Sequence, residues 1–64
     1  MPTVEVETRR IIARLEREGW VNRGGGKHDA FAHTERPGEL IVLPRHREQS
    51  IGVARDIAKR AGWR

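Results

Sequence analysis

The sequence contains no cysteine. That excludes disulfide staples and cysteine metal ligands, so a chain of 64 residues with 36% hydrophobic content must hold itself together with a small, economical core. No apolar run approaches the roughly 20 residues that a membrane span requires. The segment Met1-Pro2-Thr3-Val4-Glu5 has neither the basic nor the apolar region of a signal peptide, so a cytoplasmic location and no membrane partner are expected. The chain also lacks internal repeats, low-complexity tracts, linkers and any nucleophilic serine or cysteine arrangement. Its glycine run lacks the lysine and hydroxyl spacing of a P-loop, which argues against nucleotide hydrolysis. One domain, residues 1–64, is the expected organisation.

Positive charge is present and unevenly placed. Thirteen Lys and Arg stand against nine Asp and Glu, a net charge of +4. Residues 1–18 are neutral, with Arg9, Arg10, Arg14 and Arg17 balanced by Glu5, Glu7, Glu16 and Glu18, and read as a solvated helix face. Residues 19–34 carry +1 and residues 35–64 carry +3. An excess of this kind favours a polyanionic partner, because neutralised phosphates release condensed counterions. The plainer reading is solubility alone.

Hydrophobic periodicity predicts the elements. Thr8 is a candidate N-cap, followed by Ile11, Ile12 and Leu15 at helical spacing and stopped by Gly19, which predicts a helix over Arg9–Glu18. Upstream, Thr3-Val4-Glu5-Val6-Glu7 alternates like a strand and is equally compatible with a helix extension or a frayed end. Trp20–Arg23, the glycines Gly24, Gly25 and Gly26, and Lys27–His33 read as strand, turn, strand. In the second of these strands His28, Ala30 and Ala32 share one face, and Asp29, Phe31 and His33 the other, with Phe31 the expected core anchor. Pro37-Gly38 signals a turn, Leu40-Ile41-Val42-Leu43 is the strongest strand, and Pro44 ends it. After the basic connection Arg45–Gln49, Ser50 caps a second helix with Ile51, Ala54, Ile57, Ala58 and Ala61 on one side, stopped at Gly62. Gly19-Trp20 and Gly62-Trp63 each place an aromatic just past a helix end, where a left-handed glycine turns it back for packing. The order α-β-β-β-α predicts an α+β fold, a three-stranded antiparallel sheet with both helices on one face and the other face open.

His28 is the candidate for acid or base chemistry, since imidazole titrates near neutrality and the amides of Gly26 and Lys27 sit where a phosphate could approach. Many strand-edge histidines are merely surface residues. Arg45, His46 and Arg47 are candidate phosphate contacts, against the plainer reading of a solvated loop. Strand parity sends His33 and Asp29 to the face opposite His28, so His33 is read as structural or incidental, and Asp29 as solubilising the strand rather than orienting the ring. The spacing of His28, His33 and His46 matches no zinc motif, and no metal site or cofactor is expected.

The ordered segments Glu18-Gly19-Trp20, Gly26-Lys27-His28-Asp29-Ala30-Phe31-Ala32-His33, Pro44-Arg45-His46 and Ile57-Ala58-Lys59-Arg60-Ala61-Gly62-Trp63 resemble HicA-type toxins, over about residues 8–63. The resemblance implies a fold similar to double-stranded RNA-binding domains and a small ribonuclease of a toxin–antitoxin pair. His28 matches the catalytic histidine of the family's Gly-Ser-His-x-x-Phe motif and Phe31 its aromatic, while Lys27 stands where serine is commoner. The expectation is a metal-independent endoribonuclease acting on mRNA, with His28 as general acid or base, Lys27, Arg45, His46 and Arg47 on the RNA backbone, and a HicB-type antitoxin as partner. The alternatives are a non-catalytic RNA-binding module of the same fold and, more weakly, a protein-interaction or DNA-binding domain.

Overall fold

A computed structural model describes residues 4–24 and 26–63. Helix α1 spans Thr8–Arg17, strands β1 Val21–Asn22, β2 His28–Ala32 and β3 Leu40–Pro44 follow, and helix α2 spans Ile51–Ala61. The sheet is antiparallel in the order β1-β2-β3. The predicted α-β-β-β-α fold is therefore the observed one.

Alternation along the strands sorts their side chains. Phe31 lies opposite Ile41, and both are fully buried with Leu43 beneath the helices, against Ile11 and Leu15 of α1 and Ile57 and Ala61 of α2. On the other face Val21 pairs with Ala32, Leu40 with Ala32, and Val42 with Ala30. Val21, Leu40 and Val42 are roughly half exposed, at 53%, 47% and 47%. One face of the sheet is thus the core, and the other is bare among the described residues.

Both helices end as their Gly-Trp pairs predict. Gly19 has φ +98° and Gly62 φ +80°, a region in which glycine carries no Cβ penalty. The Trp20 amide donates to the Leu15 carbonyl at 2.9 Å and the Trp63 amide to the Ala58 carbonyl at 2.8 Å, the six-to-one bond of a Schellman ending. Trp20 is buried as a result, and the Trp63 indole N–H donates to Glu18 at 2.7 Å while Arg14 stacks over its ring at 4.3 Å. Burial alone would raise the Glu18 pKa, but the Trp63 and Arg14 hydrogen bonds outweigh it, and the carboxyl titrates below its ordinary value.

The start of α1 departs from expectation. Glu7, not Thr8, is the N-cap residue, and its side chain makes no capping bond. The Thr8 hydroxyl is used over a distance instead, donating to the His46 carbonyl and accepting from Gln49 Nε2 at 2.7 Å. Residues 4–6 carry no regular structure, and Glu7 forms a single antiparallel bridge with Glu48. Of the alternating stretch Thr3–Glu7, Thr3 lies outside the described residues. In α2, Ser50 caps as predicted, its hydroxyl oxygen accepting from the Val53 amide at 3.2 Å. Ile51, expected on the apolar side, is 59% exposed, because it sits in the first turn before the helix reaches the core through Ala54, Ile57 and Ala61. Ser50→Ala should remove the cap and cost about 1 kcal/mol. Thermal unfolding followed by circular dichroism should then show a drop of roughly 4–8 °C for a domain of this size.

Candidate functional site

The glycine turn before His28 is pinned rather than loose. Asn22 Oδ1 accepts from the Gly24 amide at 2.9 Å, a side-chain turn over two residues, and from the Ala30 amide at 3.4 Å. The Arg23 amide donates to the Ala30 carbonyl at 2.6 Å, carrying the β1–β2 ladder one residue past β1. Gly24 then lies directly on β2. A Cβ there would fall 2.5 Å from the Ala30 nitrogen and 2.6 Å from the His28 carbonyl oxygen, both backbone atoms that cannot swing away. Gly25, the middle of the predicted turn, lies outside the described residues. Gly26 has φ +81° with open space around it, so Gly26 itself faces solvent.

His28 is the first residue of β2, exposed, and paired across the ladder with Pro44. Among the described residues no hydrogen bond engages its ring. Lys27, just before it, is also exposed. Parity holds as predicted: Asp29 turns to the helix-covered side and His28 to the bare side.

Asp29 has a role that parity alone did not supply. Its Oδ1 accepts from Asn22 Nδ2 at 3.0 Å and from Arg45 Nη2 at 3.2 Å. The Asn22 amide foremost, with Arg45, holds the Asp29 carboxyl below its ordinary value against the opposing effect of burial. A carboxyl with a lowered folded-state pKa adds stability that is present above the unfolded value, about pH 3.9, and lost as pH falls through the folded value. Asp29→Asn should therefore be less stable than the parent at pH 7, with the difference shrinking below about pH 4. Urea unfolding at several pH values measures this, and a difference that stays constant with pH would count against the carboxylate as its source.

Arg45, His46 and Arg47 follow one another in the loop between β3 and α2. They line one side of a cleft of about 440 Å³ that is also lined by Glu7, Thr8 and Arg9 at the start of α1 and by Asp29. Lys27 and His28 are not among its lining residues. The cleft and His28 share a corner of the sheet, since Pro44 pairs with His28 and directly precedes Arg45, but they open on opposite faces. Sequence reasoning placed Arg9 on a neutral helix surface and missed the cleft, because the residues that build it come from segments almost forty positions apart. Sequence reasoning also missed Asn22, although an Asn two residues before a glycine is a signal for such a turn.

His33 is structural, as expected. Its Nε2 donates to the Glu18 carbonyl at 2.9 Å, its Nδ1 accepts from the Glu35 amide at 3.1 Å, and the ring meets Trp20 edge-on with centroids 5.2 Å apart. These partners assign the neutral tautomer with its proton on Nε2. Among the described residues no group of three or more His, Asp or Glu side chains is placed to hold a metal ion, and no helix is long and apolar enough to cross a membrane.

Residues 8–63 match a family model described as the HicA toxin of bacterial toxin-antitoxin. No individual curated protein matches the chain.

Proposed function

Because the chain belongs to the HicA toxin family of bacterial toxin–antitoxin systems, which implies an antitoxin partner, we propose that it is an endoribonuclease that cleaves mRNA at His28. The observation that carries this reading is an exposed imidazole, free of hydrogen-bond partners among the described residues, set on a rigid strand end by a turn that Asn22 and Gly24 pin to β2. A group that must take up and release a proton needs both access and fixed placement.

In the reaction the substrate's 2′-hydroxyl oxygen bonds to the adjacent phosphorus, and the bond from phosphorus to the 5′ oxygen breaks. The 2′ proton is removed and a proton is delivered to the leaving 5′ oxygen. His28 carries one of these transfers and solvent the other, which requires no metal. Lys27 beside His28, and Arg45, His46 and Arg47 around the corner, hold the RNA backbone by charge and hydrogen bonding. The antitoxin, of HicB type, covers His28, and the half-exposed Val21, Leu40 and Val42 on the same face give it apolar area to bury. Toxin, antitoxin and mRNA meet in the cytoplasm.

Purified protein incubated with RNA in a chelator tests the reading. The expected result is new fragments ending in a cyclic 2′,3′-phosphate and a 5′-hydroxyl, the latter labelled by polynucleotide kinase without prior phosphatase. Fragments that also form with His28→Ala, or none with the parent, would sink it. A second reading, a non-catalytic RNA-binding module, is favoured by the absence of any described side chain that orients the ring, and it predicts salt-sensitive binding with no new ends.

A further inference from the structure

We infer that the cleft between the start of α1 and the β3–α2 loop is a second binding site for an RNA backbone phosphate, on the sheet face opposite His28, with Arg9 and Arg47 as its cations. This rests on the reading of the chain as an RNA-acting protein and adds a site that its histidine motif does not contain.

The walls of the cleft are fixed to each other. The Thr8 amide donates to the Arg47 carbonyl at 3.1 Å and the Gln49 amide to the Val6 carbonyl at 2.8 Å, on either side of the Glu7–Glu48 bridge. Gln49 is only 5% exposed, and its Nε2 donates both to the Thr8 hydroxyl at 2.7 Å and to the Pro44 carbonyl at 2.9 Å. A buried amide with two partners is costly to disturb. The loop bearing Arg45, His46 and Arg47 is therefore held against α1 before any ligand arrives.

Charge inside the cleft is already sorted. Its two carboxylates are engaged, Asp29 with Arg45 at 3.2 Å and Glu7 with Arg10 at 3.8 Å. Among the described residues no carboxylate lies within 4.0 Å of the Arg9 or Arg47 guanidinium. No acidic residue follows the cap in the first turn of α1, and the Glu7 carboxylate at the cap itself is paired with Arg10. Two unpaired guanidinium groups across a preformed concavity suit the tetrahedral oxygens of a phosphodiester, which accept several charge-assisted hydrogen bonds at once. A volume of about 440 Å³ has room for the attached sugar as well. An RNA strand rounding the Lys27–Pro44 corner would present one phosphate to His28 and a flanking one to Arg9 and Arg47.

Equilibrium binding of a fluorescent single-stranded RNA to the His28→Ala protein tests the site without cleavage. Adding Arg9→Ala should make the salt dependence shallower by about 0.7 in log–log slope, which over the decade below 1 M corresponds to roughly fivefold weaker binding at 0.1 M salt. Arg47→Ala should do the same. Arg17→Ala removes the same charge from the last turn of the same helix, outside the cleft, and should leave the slope unchanged. Equal losses for Arg9 and Arg17, no loss at Arg9, or no RNA bound at all would each overturn the cleft site. Cleavage by the His28-containing protein is scored separately. Ribonuclease activity with equal effects of Arg9 and Arg17 removes only the cleft, while a selective Arg9 effect without cleavage removes only the catalytic reading.

Discussion

His28→Ala is expected to reduce RNA cleavage by about 10²–10⁴-fold, the contribution of a positioned acid or base, while leaving the stability of the protein within about 0.5 kcal/mol of the parent. The two halves of this expectation have separate origins. The loss follows from the proposed role of the imidazole in moving a proton at the scissile phosphate. The retained stability follows from position, because His28 is exposed, lies outside the core and makes no side-chain hydrogen bond among the described residues. Its backbone pairing with Pro44 is open to alanine as it is to histidine. RNA binding should also persist, since Lys27, Arg9, Arg45 and Arg47 are untouched. Cleavage kinetics and thermal melting on the same preparation check both halves, and a folded variant that cuts RNA at the parental rate would remove His28 from the mechanism.

The largest expected effect on stability comes from Phe31→Ala. Phe31 is fully buried at the centre of the sheet, opposite Ile41, and belongs to the same cluster as Ile11, Leu15 and Ile57. Deleting a buried phenylalanine side chain costs about 3–5 kcal/mol through lost transfer energy and the cavity left behind. A domain has a total margin of about 5–15 kcal/mol, and a chain this short buries less surface than most and falls toward the low end. The variant should therefore be substantially unfolded at 37 °C, or melt far below the parent, as read by urea unfolding with the buried Trp20 as fluorophore. Phe31→Leu leaves a smaller cavity and should retain the fold. An alanine variant with parental stability would mean that the cluster closes over the gap.

Most of the fold was legible because it rests on local signals. Ser50 announced α2, the apolar run Leu40–Leu43 announced β3, Pro37-Gly38 the turn between strands, and the two Gly-Trp pairs the helix ends. Thr8 was misread for a physical reason: a hydroxyl at a helix start has a default local partner, but here its partners are His46 and Gln49, about forty residues along the chain. The same limit applies to the candidate site. His28 and the group Arg45, His46 and Arg47 stand out by residue type and order, whereas Arg9 joins them only once the Thr8–Gln49 hydrogen bond draws α1 against the β3–α2 loop. Asp29 was correctly placed on the far side from His28, but its link to Arg45 spans sixteen residues and leaves no mark in local spacing.

The burial of Phe31 three residues after His28 acts as a parity lock on the histidine. On a strand an odd offset always separates the faces, so whatever keeps the aromatic ring inside keeps the imidazole outside. Inserting or deleting one residue between them would turn the histidine inward against the helices or expel the phenylalanine, whereas a change of two would preserve both assignments. Length variation in this stretch of β2 should thus be tolerated only in steps of two, with odd changes silencing the protein even where every chemical group survives.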